Sequence, residues 1–269
     1  MLRYLSAALI GVLVWKSCFM PTPSCSADDK DKFEGRTFSP NPGDKLLYRL
    51  LQPKNYDANS KTKYPLVLFL HGAGERGADN KAQLVHGMAD FASDKTMTDY
   101  PCFVVAPQCP VGEKWVDVDW STLKHDMPEK PASPMRLTLQ LLDSLQKVLS
   151  IDVDRRYITG LSMGGYGTWD AIQRHPELFA AAVPICGGGD PKLAKKIASL
   201  PIWAFHGDQD GAVKVERSRD MIAAIKEAGG SPKYTEYPGV GHNSWTATYK
   251  DPEMYKWLFS QRRKGEAGK

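Results

Sequence analysis

Gly160-Leu161-Ser162-Met163-Gly164 sets a serine between glycines at minus two and plus two. A strand-like run, Arg156-Tyr157-Ile158-Thr159, precedes it, and Gly165-Tyr166-Gly167-Thr168-Trp169-Asp170-Ala171-Ile172 reads as an opening helix. This spacing predicts a sharp strand-to-helix turn, where only glycines let the two backbones come close. The Ser162 hydroxyl would then stand exposed beside a helix N-terminus, in a strained backbone. That placement suits a nucleophile.

A serine hydroxyl is a weak nucleophile near neutral pH and needs a positioned base. His242 is the candidate, in the glycine-flexed loop Pro238-Gly239-Val240-Gly241-His242-Asn243 after the strand-like Tyr234–Tyr237. An acid should hold the imidazole from its other nitrogen. Asp208 and Asp210 both qualify, in His206-Gly207-Asp208-Gln209-Asp210. The chain order Ser162, Asp210, His242 fits a strand–turn–helix nucleophile, and Asp208 is the competitor. His71 and His206, in His-Gly steps at strand ends, read as turn-stabilising. His86, His125 and His175 have surface or core roles.

Acyl transfer also needs donors for the oxyanion that develops on the substrate carbonyl. The backbone N–H of Met163, directly after the serine, is one. A second should come from His71-Gly72-Ala73-Gly74-Glu75-Arg76-Gly77, which follows the apolar run Leu66–Leu70. No G-x-x-x-x-G-K-[ST] makes this a phosphate loop, and no H-E-x-x-H or cysteine–histidine cluster suggests a metal. Neither metal nor cofactor is expected.

These groups need a scaffold. Apolar runs without alternation occur at Leu66–Leu70, Cys102–Ala106, Tyr157–Thr159, Ala181–Ile185 and Ile202–Phe205. Strands buried on both faces look like this. Leu46–Leu51 is expected to be antiparallel and near an edge. Ser133-Pro134 marks an N-cap, followed by a stripe of Leu137, Leu141, Leu142, Leu145, Val148 and Leu149. Val215–Ala228 is a second helix ended by Gly229-Gly230, and Asp251-Pro252-Glu253 opens a last one. The alternation predicts one α/β domain with a mostly parallel central sheet and helices on both faces. The long connection 107–133, rich in Pro, Asp and Trp, is of the kind usually kept for function.

With 269 residues, 42% of them apolar, the chain is large enough for one full core. Residues 1–27 read as a signal peptide: Arg3, an apolar stretch from Leu5 to Trp15, and Cys25-Ser26-Ala27 as cleavage site. A retained anchor and lipidation at Cys25 or Cys18 are the alternatives. The formal charge of +4 falls to +2 without Arg3 and Lys16. Neither nucleic-acid binding nor disorder is implied. Secretion or export to a periplasm is expected. Of the remaining cysteines, Cys102 and Cys186 read as buried thiols, with a Cys102–Cys109 bridge possible in an oxidising compartment.

The chain resembles the α/β-hydrolase superfamily. It is most similar to the single-domain carboxylesterases often labelled predicted peptidases, near the dienelactone hydrolase and phospholipase/carboxylesterase branches. The resemblance spans roughly residues 40–262. It rests on His71–Glu75, Ala106-Pro107-Gln108-Cys109-Pro110, Gly160–Gly165, His206–Asp210 with Val213, and Gly241-His242. It implies that the acid is Asp210 and that the earlier oxyanion donor is Ala73, with Gly72 and Gly74 as near alternatives. It also implies acyl-enzyme chemistry on an ester. Cap domains in this superfamily commonly follow the strand ending near Ile185, and the short 185–202 connection leaves no room for one.

The cleft should therefore be open. Lys114-Trp115-Val116-Asp117-Val118-Asp119-Trp120 and Trp245 would wall it, with Trp115, Trp120 and Trp245 binding substrate. Aromatic and acidic walls suit small, aryl or carbohydrate-linked esters; ordinary tryptophan packing under a loop is the alternative. The expected organisation is a signal peptide over 1–27, a polar segment over 28–44, the catalytic domain over 45–262 and a polar tail over 263–269. A peptidase using the same triad and a binding protein on a hydrolase scaffold are the rival functions.

Overall fold

A computed structural model describes residues 28–263, and the expected leader over 1–27 lies outside the described residues, as does the tail beyond Arg263. The strands are β1 (Glu34–Phe38), β2 (Leu46–Leu51), β3 (Tyr64–Leu70), β4 (Phe103–Gln108), β5 (Ile151–Leu161), β6 (Ala181–Ile185), β7 (Trp203–Gly207) and β8 (Lys233–Tyr237). They form one sheet in the order β1-β2-β4-β3-β5-β6-β7-β8. The pairs β1–β2 and β2–β4 are antiparallel, and every other neighbour is parallel.

Both sheet faces are covered. The helices are α1 (Asp28–Asp31), α2 (Met88–Ala92), α3 (Asp94–Asp99), α4 (Ser133–Val148), α5 (Met163–Arg174), α6 (Glu216–Glu227), α7 (Trp245–Lys250) and α8 (Pro252–Ser260). Leu66, Leu68 and Leu70 of β3 point into one core with Leu141 and Leu145 of α4, Trp169 of α5 and Ile222 of α6. Val67 and Phe69 point the other way, to Phe91 of α2, Tyr249 of α7 and Leu258 of α8. A two-period strand between two apolar layers must be apolar at every position, which is why β3 reads as an unbroken run.

Helix ends follow local chemistry. The Asp251 side chain accepts from the Glu253 N–H and caps α8. Gly229, at φ 87°, turns the chain out of α6, and Gly230 N–H bonds back to Ile225 O at 2.9 Å. At α4 the expected cap shifts by one residue: Ser133 is inside the helix and Ala132 is the N-cap, with Pro134 in the first turn.

Two expectations change. The polar segment 28–44 contains β1, which takes the sheet's edge, while β2 is antiparallel and near that edge as expected. An edge strand keeps one side in water and can be charged, as Glu34 and Arg36 are, so apolar patterning misses it. The second change is β5, which starts at Ile151, six residues before Tyr157, through polar residues that lie half-buried at the sheet's end. After β6 the chain forms only a 3-10 turn, Pro191–Ile197, before β7. No cap domain occupies that connection. Among the described residues no helix is long and apolar enough to cross a membrane.

Candidate active site

Ser162 sits between β5 and α5 at φ 54° and ψ −117°. For a residue with a side chain this conformation costs about 1–3 kcal/mol, so the surroundings must hold it. They do so from both sides: Ser162 N–H donates to Ile185 O at 3.0 Å, and Tyr166 N–H donates to Ser162 O at 3.0 Å. A Cβ on Gly164 would strike the Leu70 carbonyl, and one on Gly160 would strike the Gly164 carbonyl. The glycines exist because strand and helix touch there.

The Ser162 Oγ lies 2.9 Å from His242 Nε2, and His242 Nδ1 lies 2.7 Å from Asp210 Oδ2. A carboxylate only accepts, so Nδ1 carries the proton and Nε2 keeps its lone pair for the serine. Asp210 has no exposed side-chain surface, whereas the His242 side chain is 28% exposed. Burial alone would raise the acid's pKa. Hydrogen bonds from His206, His242 and the Val213 N–H hold it well below the usual carboxylate range instead. Asp208 is not the carboxylate that bonds to His242. Its Oδ1 accepts from Gly239 N–H at 2.7 Å and braces the loop that carries His242.

Met163 is the first residue of α5, so its N–H has no acceptor within the helix. Ala73 opens a 3-10 turn, Ala73–Glu75, straight after β3. His71 shapes that turn. Its Nε2 lies 2.9 Å from the Cys109 N–H, which can only donate, so Nδ1 bears the hydrogen and donates to Gly72 O at 2.6 Å. Burial pushes this imidazole down to about 4, so the ring is neutral. The Arg76 Nε closes the turn onto Ala73 O at 2.9 Å.

The three tryptophans separate. Trp115 is fully buried, and its Nε1 donates to His71 O at 3.0 Å. It therefore packs beneath the turn and does not wall a cleft, which corrects the expected binding role. The core takes the ring because a satisfied indole N–H removes the polar cost of burial. Trp120 is half-buried, tilted on Tyr166 at 6.4 Å between centroids, with Lys114 Nζ 5.0 Å from its ring. Trp245 alone meets the triad, edge-on to His242.

Two contributors escape sequence reading. The buried Arg217 reaches His125 Nδ1 at 2.8 Å, Asp119 O at 3.1 Å and Thr122 Oγ1 at 3.3 Å, pinning the long connection. Its partners lie 92 to 98 residues away, so no local pattern announces it. His206 was readable only as a turn residue, yet its Nε2 stands 3.2 Å from Asp210 Oδ2.

Ligand atoms of Cys186, Asp210 and His242 also lie within 4.8 Å of one another. The set does not fit a metal. Burial pushes the Cys186 thiol up to about 12, and the other two groups already bond to each other. Cys102, Cys109 and Cys186 are all free and buried, so the possible Cys102–Cys109 bridge is not formed.

The chain is similar to known esterases. A family model described as "Putative esterase" matches residues 39–228. A solved thermostable esterase superposes with a TM-score of 0.78 and 43% identity, over 87% of this chain and 64% of that one. A carboxylesterase of Arabidopsis thaliana, SOBER1, is 25% identical over 201 residues, covering 66% of this chain and 82% of its own. A secreted protein of Arthroderma benhamiae is 27% identical over 241 residues, 75% of this chain. The chain spans only 24% of that secreted protein and just under two thirds of the thermostable esterase. By the extent of the family match and by its fold, this chain belongs to that esterase family of the α/β hydrolases.

Proposed function

We propose that this chain is a serine carboxylic-ester hydrolase that works through an acyl-enzyme on small, aryl or carbohydrate-linked esters. The observation that carries the reading is the unbroken chain from Ser162 Oγ through His242 to Asp210 on a strained turn. Ser162 attacks the ester carbonyl while His242 Nε2 takes its proton. The N–H groups of Met163 and Ala73 receive the oxyanion. His242 then protonates the leaving alkoxide, and Ser162 holds the acyl group. Water, deprotonated by the same nitrogen, attacks that acyl carbonyl, and the acid leaves as the proton returns to Ser162.

Residues 45–262 form the proposed catalytic unit. The leader pattern over 1–27 and the secreted relative support export from the cytoplasm. Trp120 and Trp245 are the proposed substrate contacts. A fluorophosphonate probe should label Ser162, and Ser162→Ala and His242→Ala should abolish both labelling and ester hydrolysis. Acetyl, butyryl, octanoyl and feruloyl esters compared with peptide amides separate the chemistries. Turnover of the amides alone would replace this reading with a peptidase, and a folded protein that neither labels nor hydrolyses would replace it with a binding protein.

A further inference from the structure

Asp210 Oδ2 is shared between two imidazoles: His242 Nδ1 at 2.7 Å and His206 Nε2 at 3.2 Å. The second oxygen, Oδ1, accepts from the Ala212 and Val213 N–H groups, each at 2.8 Å. His206 lies at the end of β7, four residues before Asp210, and neither side chain has exposed surface. Its Nε2 also stands 3.0 Å from Val213 O. Both neighbours of that nitrogen only accept, so it must carry a hydrogen.

The opposite nitrogen, Nδ1, lies 2.7 Å from Ser218 Oγ on α6, and that hydroxyl is 3.2 Å from Gly187 O after β6. One ring thus ties β7, the turn after it, α6 and the end of β6 around a single carboxylate. A buried carboxylate with this many fixed donors cannot rotate. Its oxygen stays aimed at His242 whatever the loop of His242 does.

We infer that His206 is a positioning residue for the proposed ester hydrolysis, acting through Asp210. It fixes the orientation of Oδ2 and takes part of that oxygen's charge, and so sets how strongly Asp210 favours the imidazolium of His242. The inference rests on the reading of Ser162, His242 and Asp210 given above. The other titratable groups turned toward the carboxylate are Tyr166 of α5 and the Cys186 thiol. Both are held protonated by burial, and the Arg217 guanidinium lies over the Tyr166 ring.

The sign of the effect follows. Without His206 the full charge of Oδ2 faces His242, the imidazolium is favoured, and the acid limb of the kcat/KM profile moves to higher pH. His206→Leu should lower kcat roughly ten- to a hundredfold, as loss of alignment does, with KM within about twofold since nothing that binds substrate is touched. His206→Gln keeps an N–H near the Nε2 position and should recover most of the rate. In an Asp210→Asn background His206→Leu should add nothing, because its effect passes through Asp210.

An unshifted profile, or an additive loss in the Asp210→Asn background, overturns the inference. If His206→Leu does not fold, Ser218→Ala reads the same property by releasing Nδ1; a smaller shift of the same sign supports the inference and an unshifted profile overturns it. Ser162→Ala is the control on the underlying reading. Ester hydrolysis that survives it removes the triad itself, whereas hydrolysis lost there but indifferent to His206 removes only this inference.

Discussion

The imidazole of His242 stands edge-on to the indole of Trp245, with ring centroids 5.2 Å apart and planes at 88°. The indole also meets the His86 ring, with centroids 5.3 Å apart. Among the described residues Trp245 is the tryptophan whose ring meets His242, and it limits where that imidazole can swing. Trp245→Ala should lower kcat/KM about tenfold through a loosened imidazole and a lost apolar contact for substrate. Trp245→Phe should keep most of the activity, since an aromatic face remains. Steady-state kinetics on one soluble ester distinguishes the two.

The buried His71 gives stability a pH dependence of known sign. Its pKa is held at about 4, against an ordinary 6.5, first of all by burial. Between those values the unfolded ring binds a proton that the folded ring refuses. Stability should therefore fall as pH drops through that window, by about 1.4 kcal/mol per pH unit for one such group. His125 is lowered to about 4 for the same reason, with Arg217 adding to it. Asp210 is lowered too, but from the carboxylate range downward, so it keeps its contribution until stronger acid. Denaturant titrations from pH 8 to 4 should show the slope, and His71→Gln should reduce it to the share of His125 while lowering stability at pH 8.

Burial separates Trp115 from Trp120. Trp115→Ala should cost about 3–5 kcal/mol of folding stability, the range for a large core aromatic. It should also reduce kcat, because the His71 carbonyl loses its indole donor. Trp120→Ala should cost much less and act on KM if the ring contacts substrate. Unfolding midpoints and kcat against KM for both variants check this.

Gly164 and Gly74 make a matched pair. A methyl group at Gly164 would strike the Leu70 carbonyl, whereas at Gly74 it would meet nothing within 4 Å. Gly164→Ala should destabilise the fold by at least about 1–3 kcal/mol and displace Ser162, with most activity lost. Gly74→Ala should fold normally. Thermal melting and probe labelling of Ser162 read both effects.

Much of this arrangement is legible along the chain because it is local. The Ser162 turn needs only five residues, and β3, β4, β6 and β7 declare themselves by unbroken apolar character. Contacts between distant residues leave no such trace. Trp115 reads equally well as a wall or as core until its hydrogen bond to His71, 44 residues away, is seen. Asp208 and Asp210 have the same composition and neighbourhood, and only the turn after β7 decides which carboxylate faces His242. β1 is invisible to apolar patterning since an edge strand can satisfy its backbone with few buried side chains.

The parallel part of the sheet has a consequence for how activity is lost. Ala73, Ser162 and Asp210 follow β3, β5 and β7, and His242 follows β8. Their relative positions rest on ladders between strands about 4.8 Å apart, from which short turns carry the side chains, the His242 loop being tied back to the turn after β7 by Asp208. Catalytic competence and the sheet should therefore disappear in one cooperative transition. Heating ought to yield a falling fraction of fully active molecules, with no population of folded but idle ones.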